Sequence, residues 1–302
     1  MIREATARDR DAILALRKRC FPDVDLERQE PAYWDWEFGQ GRMFVAEIDG
    51  RIIAHLGFVP QTWLLGGEER RGMLAVDAMT DPDFRRQGHF DRVAAFARES
   101  LRSDYALSTA FQIRDAVLPG MQKNGWIPIL RAPVLVKMLT FGHRSAGILP
   151  AAPPASSRLI ASIASDFLSN TSHVHRSEQH LHWRFYNHDH YSIEATDTAY
   201  LITRRTTLRG YDTLAIADIG WRPGRTRDAR VLLSQALARA RAANVQLAAA
   251  LLTLSHPALP ALVRSGFLPS PHRFRFLVNV FDERIRTSRA RWALTWADTD
   301  HL

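Results

Sequence analysis

Apolar residues recur along the chain with two periods, and each period predicts a kind of element. Phe90, Val93, Ala94, Ala97 and Leu101 fall at i, i+3, i+4, i+7 and i+11, the spacing of one buried helix face. Just before them Leu74-Ala75-Val76 starts an apolar run that continues to Met79 and stops at the turn Asp81-Pro82-Asp83, which predicts a strand. Ala229, Leu232, Leu233, Ala236, Leu237 and Ala240 draw a second helix face. Residues 43–48 and 51–59 flank Asp49-Gly50, a hairpin signal, and Gly66-Gly67 marks the turn before a strand over 73–80. Further strands are expected at 2–5, 105–110, 132–139, 200–205, 214–219 and 245–252, and Phe274, Phe276 and Val278 alternate as in a closing strand. Helices are expected at 6–19, ended by Phe21-Pro22, at 31–38, at 115–124 and at 260–266.

The second half repeats the first in outline. Pro119 and Gly125 are spaced as Pro260 and Gly266 are, and each glycine is followed by an aromatic residue, Trp126 or Phe267. Residues 142–157 are rich in Pro, Ala, Gly and Ser and read as a linker. The expected division is therefore a domain over 1–141, a linker over 142–158 and a diverged second module over 159–302. A chain of 302 residues suits two cores better than one.

Composition narrows the class. Hydrophobic residues make up 46% and charged residues 24%, ordinary values for a globular protein. Nothing resembles a signal core, and no apolar run is long enough to span a membrane. Cys20 is the single cysteine, so no disulfide can form within the chain, which fits a reducing cytoplasm. Its spacing from Ile13 and Leu16 marks it as a packing residue. The net charge is +8, carried almost wholly by arginine because Lys18, Lys123 and Lys137 are the only lysines. That surplus favours a polyanion such as coenzyme A, a nucleotide or RNA, and equally suits a generic basic surface.

The order strand, glycine loop, helix makes an anion site. The first N–H groups of a helix lack internal partners, and the helix dipole adds partial positive charge there. Gly88 lets the loop backbone approach an anion closely, and Arg85 and Arg86 stand at the entrance. Arg85-x-x-Gly88-x-Phe90, after Asp81-Pro82-Asp83-Phe84, resembles the pyrophosphate loop of the GNAT superfamily of acyl-CoA-dependent N-acyltransferases. Phe90 departs from it, since the family has a small residue there. Met121-Gln122-Lys123-Asn124-Gly125-Trp126 stands where the family has Tyr-x-x-x-Gly-Phe, with Met121 in place of a tyrosine that protonates the leaving thiolate in many members.

The resemblance implies an α/β (α+β) fold of two GNAT-like modules, each a mixed, mostly antiparallel central sheet flanked by helices. It implies acetyl-CoA as cosubstrate, held by Arg85, Arg86, Gln87, Gly88, His89 and Phe90, with the pantetheine arm on strand residues Ala78, Met79 and Thr80. A strand N–H at one of those three would meet the oxyanion. Trp221-Arg222-Pro223-Gly224-Arg225 is the counterpart loop, and Pro223 removes a donor, so it is not expected to hold coenzyme A. Tyr33-Trp34-x-Trp36, Leu181-His182-Trp183-Arg184-Phe185-Tyr186 and the tail from Leu294 to Asp300 resemble tandem-module GNAT proteins linked to bacterial polysaccharide biosynthesis.

Asp77 and Asp115 are the candidate catalytic carboxylates. Asp77 suits a base acting through water and equally a structural partner for arginine. Asp298 and Asp300 suit a solvated tail or a cation site. His173, His175, His180, His182, His188 and His190 form three His-x-His pairs without an accompanying cysteine or ordered carboxylate, and no metal site is expected. The function these readings support is N-acetylation of a primary amine on a small molecule, an amino sugar among the candidates. Two rivals stand beside it, an aminoacyl-tRNA-dependent transferase with tandem GNAT-like modules and a non-catalytic acyl-CoA-binding module. The expected acceptor is a small amine; a nucleic-acid partner and a membrane span are not expected.

Overall fold

A computed structural model describes residues 1–23, 26–112, 117–140, 147–149, 154–187 and 190–300. In chain order its strands are β1 (Ile2–Glu4), β2 (Arg42–Ile48), β3 (Arg51–Leu65), β4 (Glu68–Thr80), β5 (Leu107–Gln112), β6 (Ile127–Met138), β7 (His173–Val174), β8 (Tyr191–Thr196), β9 (Ala199–Leu208), β10 (Tyr211–Trp221), β11 (Leu247–Leu251) and β12 (Leu268–Val280). Its α-helices are α1 (Arg10–Cys20), α2 (Pro31–Phe38), α3 (His89–Leu101), α4 (Leu118–Lys123), α5 (Ser157–Leu168), α6 (Glu178–Leu181), α7 (Thr226–Ala242) and α8 (Leu259–Arg264). The class expected from the sequence is the one adopted: a mixed, mostly antiparallel sheet with flanking helices.

The chain forms two compact units. Unit 1 comprises Met1–Thr62, Arg70–Leu130 and Phe276–Ser288, and unit 2 comprises Trp63–Glu69, Arg131–Arg275 and Arg289–Leu302. Strand order in unit 1 is β1-β2-β3-β4-β5-β12. β1–β2 and β2–β3 are antiparallel, and β4–β5 is parallel. The helix face predicted from Val93, Ala94, Ala97 and Leu101 is buried, packed in one core with Phe44, Ile53, Met73, Met121, Trp126 and Leu277. In unit 2 the order is β12-β6-β11-β10-β9-β8. There β10–β11 is parallel, and β6–β11, β9–β10 and β8–β9 are antiparallel. The α7 face packs against Leu201, Leu214, Ile216, Ala248 and Ala250.

The units do not divide the chain into a first and a second half. β11 pairs with β6, from Leu247↔Met138 to Leu251↔Val134, so the closing strand of unit 2 comes from before the Pro/Ala-rich stretch. Unit 1 takes β12 from Phe276 onward beside β5, and the amides of Phe281 and Asp282 both donate to the Ala106 carbonyl at 2.9 Å. Alternation tells which side chains of a strand face the core, and it carries no information on which neighbour the strand pairs with.

Both helices that precede these strands end alike. Trp126 N bonds Met121 O (3.2 Å) and Gly125 N bonds Gln122 O (3.0 Å); Phe267 N bonds Leu262 O (3.1 Å) and Gly266 N bonds Val263 O (3.0 Å). These are paired Schellman caps, and the glycines sit at φ 87° and 86°, where a side chain would be strained. The start of the helix expected at 115 lies outside the described residues; in α4 Pro119 occupies the first turn, where proline is tolerated. Of the linker expected over 142–158, residues 142–146 and 150–153 lie outside the described residues; α5 begins at Ser157 and buries Ile160, Ile163, Ala164 and Leu168 on one face.

Candidate functional site

The site grows from a fork in unit 1. β4 and β5 pair at Gly72↔Leu107, Met73↔Ser108 and Leu74↔Thr109, and the pairing stops there although both strands run on. At Asp77 the backbone of β4 turns into the left-handed region, φ 48°, a kink that re-aims the residues after it. Ala78 is exposed in mid-strand, Met79 is buried and Thr80 is half-buried. The strand residues predicted to face a pantetheine arm therefore lie on the free margin of an opened sheet.

The loop that follows is held at its start. Asp81 is fully buried, and its amide donates to Ile53 O (2.8 Å). Its carboxylate accepts from Arg19 Nη2 (3.0 Å), from Arg51 Nη2 and from the Asp83 amide (3.1 Å). Burial pushes this carboxyl up, but the Asp83 N–H and the Arg51 guanidinium outweigh it and hold it below the usual carboxylate value. Pro82 then opens one short 3₁₀ turn, Pro82–Phe84. The sequence marks Asp81 as a turn residue, and the Asp-Pro-Asp spelling, whose first carboxylate caps its own turn, is the signal for its second role.

Arg86 and Gly88 both take positive φ, 63° and 73°, so the backbone of residues 85–88 curls into a concave run ahead of α3. The first α3 amide bonded back to the chain is that of Arg92, to Gly88 O (3.2 Å), so the amides ahead of it lie at the helix start. A Cβ built on Gly88 meets nothing within 4 Å, which is what an open anion cradle requires. Arg85 Nε bonds Thr80 O (3.1 Å) and Gln87 Nε2 bonds Asp83 O (3.2 Å), which braces the loop on both sides. Arg85, Arg86, Gln87 and Gly88 are exposed. His89 is buried, its Nδ1 paired with Arg92 Nη2 (2.8 Å), and Phe90, the departure from the family pattern, is half-buried against the unit 1 core.

Asp77 sits elsewhere in character. Its side chain is buried between Arg17 and Arg28, and Arg28 continues to the buried Glu37 (2.8 Å). His55 Nδ1 faces the Asp77 carbonyl (2.9 Å), and burial pushes that imidazole down, so it is neutral and its Nδ1 is the donor. The signal for this clamp was present in the sequence: Arg17 falls on the same face of α1 as Ile13, Leu14 and Leu16, where an arginine needs a buried acid. Asp115, the other candidate carboxylate, lies outside the described residues, as does Arg114. Met121 is buried, with Gln112 Nε2 directed at its sulfur.

The remaining candidates resolve differently. Asp298 is fully buried, with both carboxylate oxygens on Arg176 (2.6 and 3.1 Å), so it is neither a solvated tail residue nor a cation site. Of the histidines, His173 and His180 are buried apart from the loop, in unit 2, and His188 lies outside the described residues. Among the described residues no three His, Cys, Asp or Glu side chains stand together as metal ligands. No helix among them is long and apolar enough to cross a membrane.

The fold has known relatives. Residues 1–114 match the acetyltransferase (GNAT) domain family. Among curated proteins none matches. Solved structures share the fold over nearly the whole chain. One is a conserved protein of unknown function from Enterococcus faecalis, described as a probable N-acyltransferase: 12% identity, TM-score 0.67, 95% of this chain and 73% of that one. Another is a GCN5-related N-acetyltransferase from Anabaena variabilis: 14% identity, TM-score 0.67, 93% and 73%. A third is Eis1 from Mycobacterium abscessus: 14% identity, TM-score 0.64, 93% and 74%.

Proposed function

We propose that the chain is an acetyl-CoA-dependent N-acetyltransferase acting on a primary amine of a small molecule, with an amino sugar among the acceptors to test first. One observation carries this reading: the β4–β5 fork opens directly onto a concave, glycine-containing loop at the start of α3. When bound, the cosubstrate supplies an activated acyl carbonyl; the chain supplies everything else. Amides of residues 86–90 and the α3 dipole hold the diphosphate, with Arg85 and Arg86 adding charge. The margin of β4 at Ala78, Met79 and Thr80 orients the thioester arm, and one of its amides faces the developing oxyanion.

The clamp of Arg17 and Arg28 gives Asp77 a structural part in this scheme: together with Glu37 it balances two buried guanidiniums behind the turn in β4 and so fixes the direction of Ala78. Asp115 is then the carboxylate proposed to take the proton of the ammonium. The two-module reading, 1–141 and 159–302 with 142–158 between, is kept as a proposal of common origin. Its support is the matched pair of helix caps and the aspartate at the irregular point of each central strand, Asp77 in β4 and Asp218 in β10.

The deciding experiment is a thiol-release screen with acetyl-CoA across amino sugars, amino acids and polyamines. Release with at least one amine is expected. Coenzyme binding without release from any of them would favour the non-catalytic module, for which the methionine at position 121 is the supporting observation. With a working acceptor, Asp115→Asn should lower kcat with an unchanged melting temperature. Asp77→Asn should instead lower the melting temperature, because it leaves two buried arginines short of a counter-charge.

A further inference from the structure

The outer face of α7 carries charge that the fold does not use. Arg227, Arg230, Val231, Ser234 and Arg241 fall at i, i+3, i+4, i+7 and i+14, all exposed, and with the buried Leu233 and Leu237 beneath them they line one cavity of about 410 Å³. Lys137 of β6 and Ser265 of the α8 cap complete its wall. Elsewhere on and before the same helix the cations are matched: Arg225 pairs with Asp228 (2.8 Å) and Arg239 with Glu194. Arg227, Arg230, Arg241 and Lys137 are in no ion pair among the described residues, and no carboxylate lines the cavity. Four like charges around one hollow repel one another, and that cost is recovered only if something negative enters.

We propose that this hollow is an anion site of unit 2 that takes the diphosphate of a small molecule of nucleoside-diphosphate size. Volume and layout set the class. A concave site of this volume fits a small ligand rather than the broad track of a nucleic acid. Arg230 and Arg241 are eleven positions apart, a rise of about 16 Å along the helix, so one phosphate cannot serve both ends. Lys137 adds a second sign of excess positive field: its Nζ is turned onto the Ser265 carbonyl, and burial together with Arg241 pushes its ammonium down. An anion in the hollow would reverse that shift. Gly266 belongs to the same wall, since a Cβ there would come within 3.2 Å of Lys137 Nζ.

The test is calorimetric titration of the full chain carrying Gly88→Glu, which takes the loop of unit 1 out of competition and makes the outcome independent of the coenzyme reading. The probes are inorganic pyrophosphate and ADP at low salt. One ADP per chain is expected, tighter than pyrophosphate, with the affinity falling at least about tenfold in Arg230→Ala/Arg241→Ala and in Lys137→Gln. No binding of either probe would overturn the proposal. So would binding that both sets of substitutions leave unchanged, or displacement of ADP by a short single-stranded RNA at far lower concentration.

Discussion

The strand fork of unit 1 and its counterpart in unit 2 are built to one plan and finished differently. Each has a central strand that is irregular at or next to an aspartate, Asp77 at positive φ in β4 and a register shift just before Asp218 in β10, a parallel neighbour, and a helix that follows through a short loop. In unit 1, pairing between β4 and β5 ends at Leu74↔Thr109 and nothing of the described chain follows it as a strand partner there. In unit 2, pairing between β10 and β11 runs to Ile216↔Ala250, and the chain then closes the end of β11 itself. Leu252 bridges Thr295, and Thr253 N bonds Leu294 O (3.2 Å). Behind them Arg176 joins Asp218 beside that register shift (2.7 Å) to Asp298 in the C-terminal segment. Trp292, Leu294 and Trp296 in that segment are buried. The loops differ in the same sense. The unit 2 loop spends its amides internally, Arg225 N on Arg222 O and Asp228 N on Arg225 O, both 3.0 Å, and ties Arg222 to Asp166. A fork becomes a site only where the chain leaves both its edge and its loop donors unspent.

The largest test of this contrast is Gly88→Glu. It puts a carboxylate at the mouth of the loop that the proposal assigns to a diphosphate, so in a chain whose unit 2 hollow is disabled by Arg230→Ala/Arg241→Ala coenzyme A binding by calorimetry should fall below detection. The built Cβ meets no neighbour, so the remaining cost is the left-handed φ of 73°, about 1 kcal/mol, and the chain should stay folded. Unchanged affinity would remove the loop of unit 1 from the comparison altogether.

Much of unit 1 was legible before the structure. The loop, its glycine and the α3 face follow from spacing, because helix periodicity and φ-demanding glycines are local properties. The matched Gly125 and Gly266 caps were visible as a repeat for the same reason. What was not legible depends on partners remote in sequence. β6 and the end of β12 were assigned to the half of the chain they occur in, since alternation is silent about neighbours. Asp298 read as a tail residue because its burial depends on Arg176, 122 positions away. The open fork itself is a failure of pairing between β4 and β5, and no residue of either strand announces it.

The next effect in size falls on unit 2. Asp298→Ala removes both carboxylate contacts from a fully buried Arg176 and the capping box with Thr295. Stranding a buried charge in this way costs about 3–5 kcal/mol. A lowered first thermal transition, with coenzyme A binding retained at saturating ligand in the cold, is the expected pattern. A melting curve like that of the parent would show that the C-terminal segment does not brace the fork.

Acid should act on the same region with a somewhat smaller effect. Burial, and next the Arg176 charge, push His173 down to about 4, and burial followed by Arg176 pushes His256 down to about 3. Both are then neutral in the folded chain and titrate near the ordinary histidine value when unfolded. Their contribution is complete above about pH 6.5 and is lost progressively as pH falls toward 4, because the unfolded chain binds the protons first. His173 alone accounts for up to about 3 kcal/mol over that window. Chemical denaturation at pH 7.5, 6 and 4.5, followed through tryptophan emission, should show stability falling at each step. His256→Gln should flatten the slope, and a flat profile in the parent chain would contradict the burial of these rings.

The smallest effect is the sharpest test of asymmetry, because it compares two arginines in equivalent loops. Arg85 is exposed, reaches back with Nε to Thr80 O and lies beside the Cys20 thiol, with no carboxylate paired to it among the described residues. Arg225 is also exposed, but it is held against Asp228, and Asp228 is held in turn by the Thr198 hydroxyl. Removing a charge-assisted contact to a diphosphate costs about 1.5–3 kcal/mol, so Arg85→Ala should weaken coenzyme A about tenfold or more. Arg225→Ala breaks a solvent-exposed ion pair that no ligand uses, so coenzyme affinity, a stoichiometry of one and the melting temperature should all stay as they were. Both variants belong in one calorimetric series with the parent chain. With the unit 2 hollow disabled by Arg230→Ala/Arg241→Ala throughout the series, a stoichiometry near two in the parent, or a loss of coenzyme binding in Arg225→Ala that equals the loss in Arg85→Ala, would mean that the filled fork still takes the ligand. The difference drawn between the two loops would then have no bearing on function.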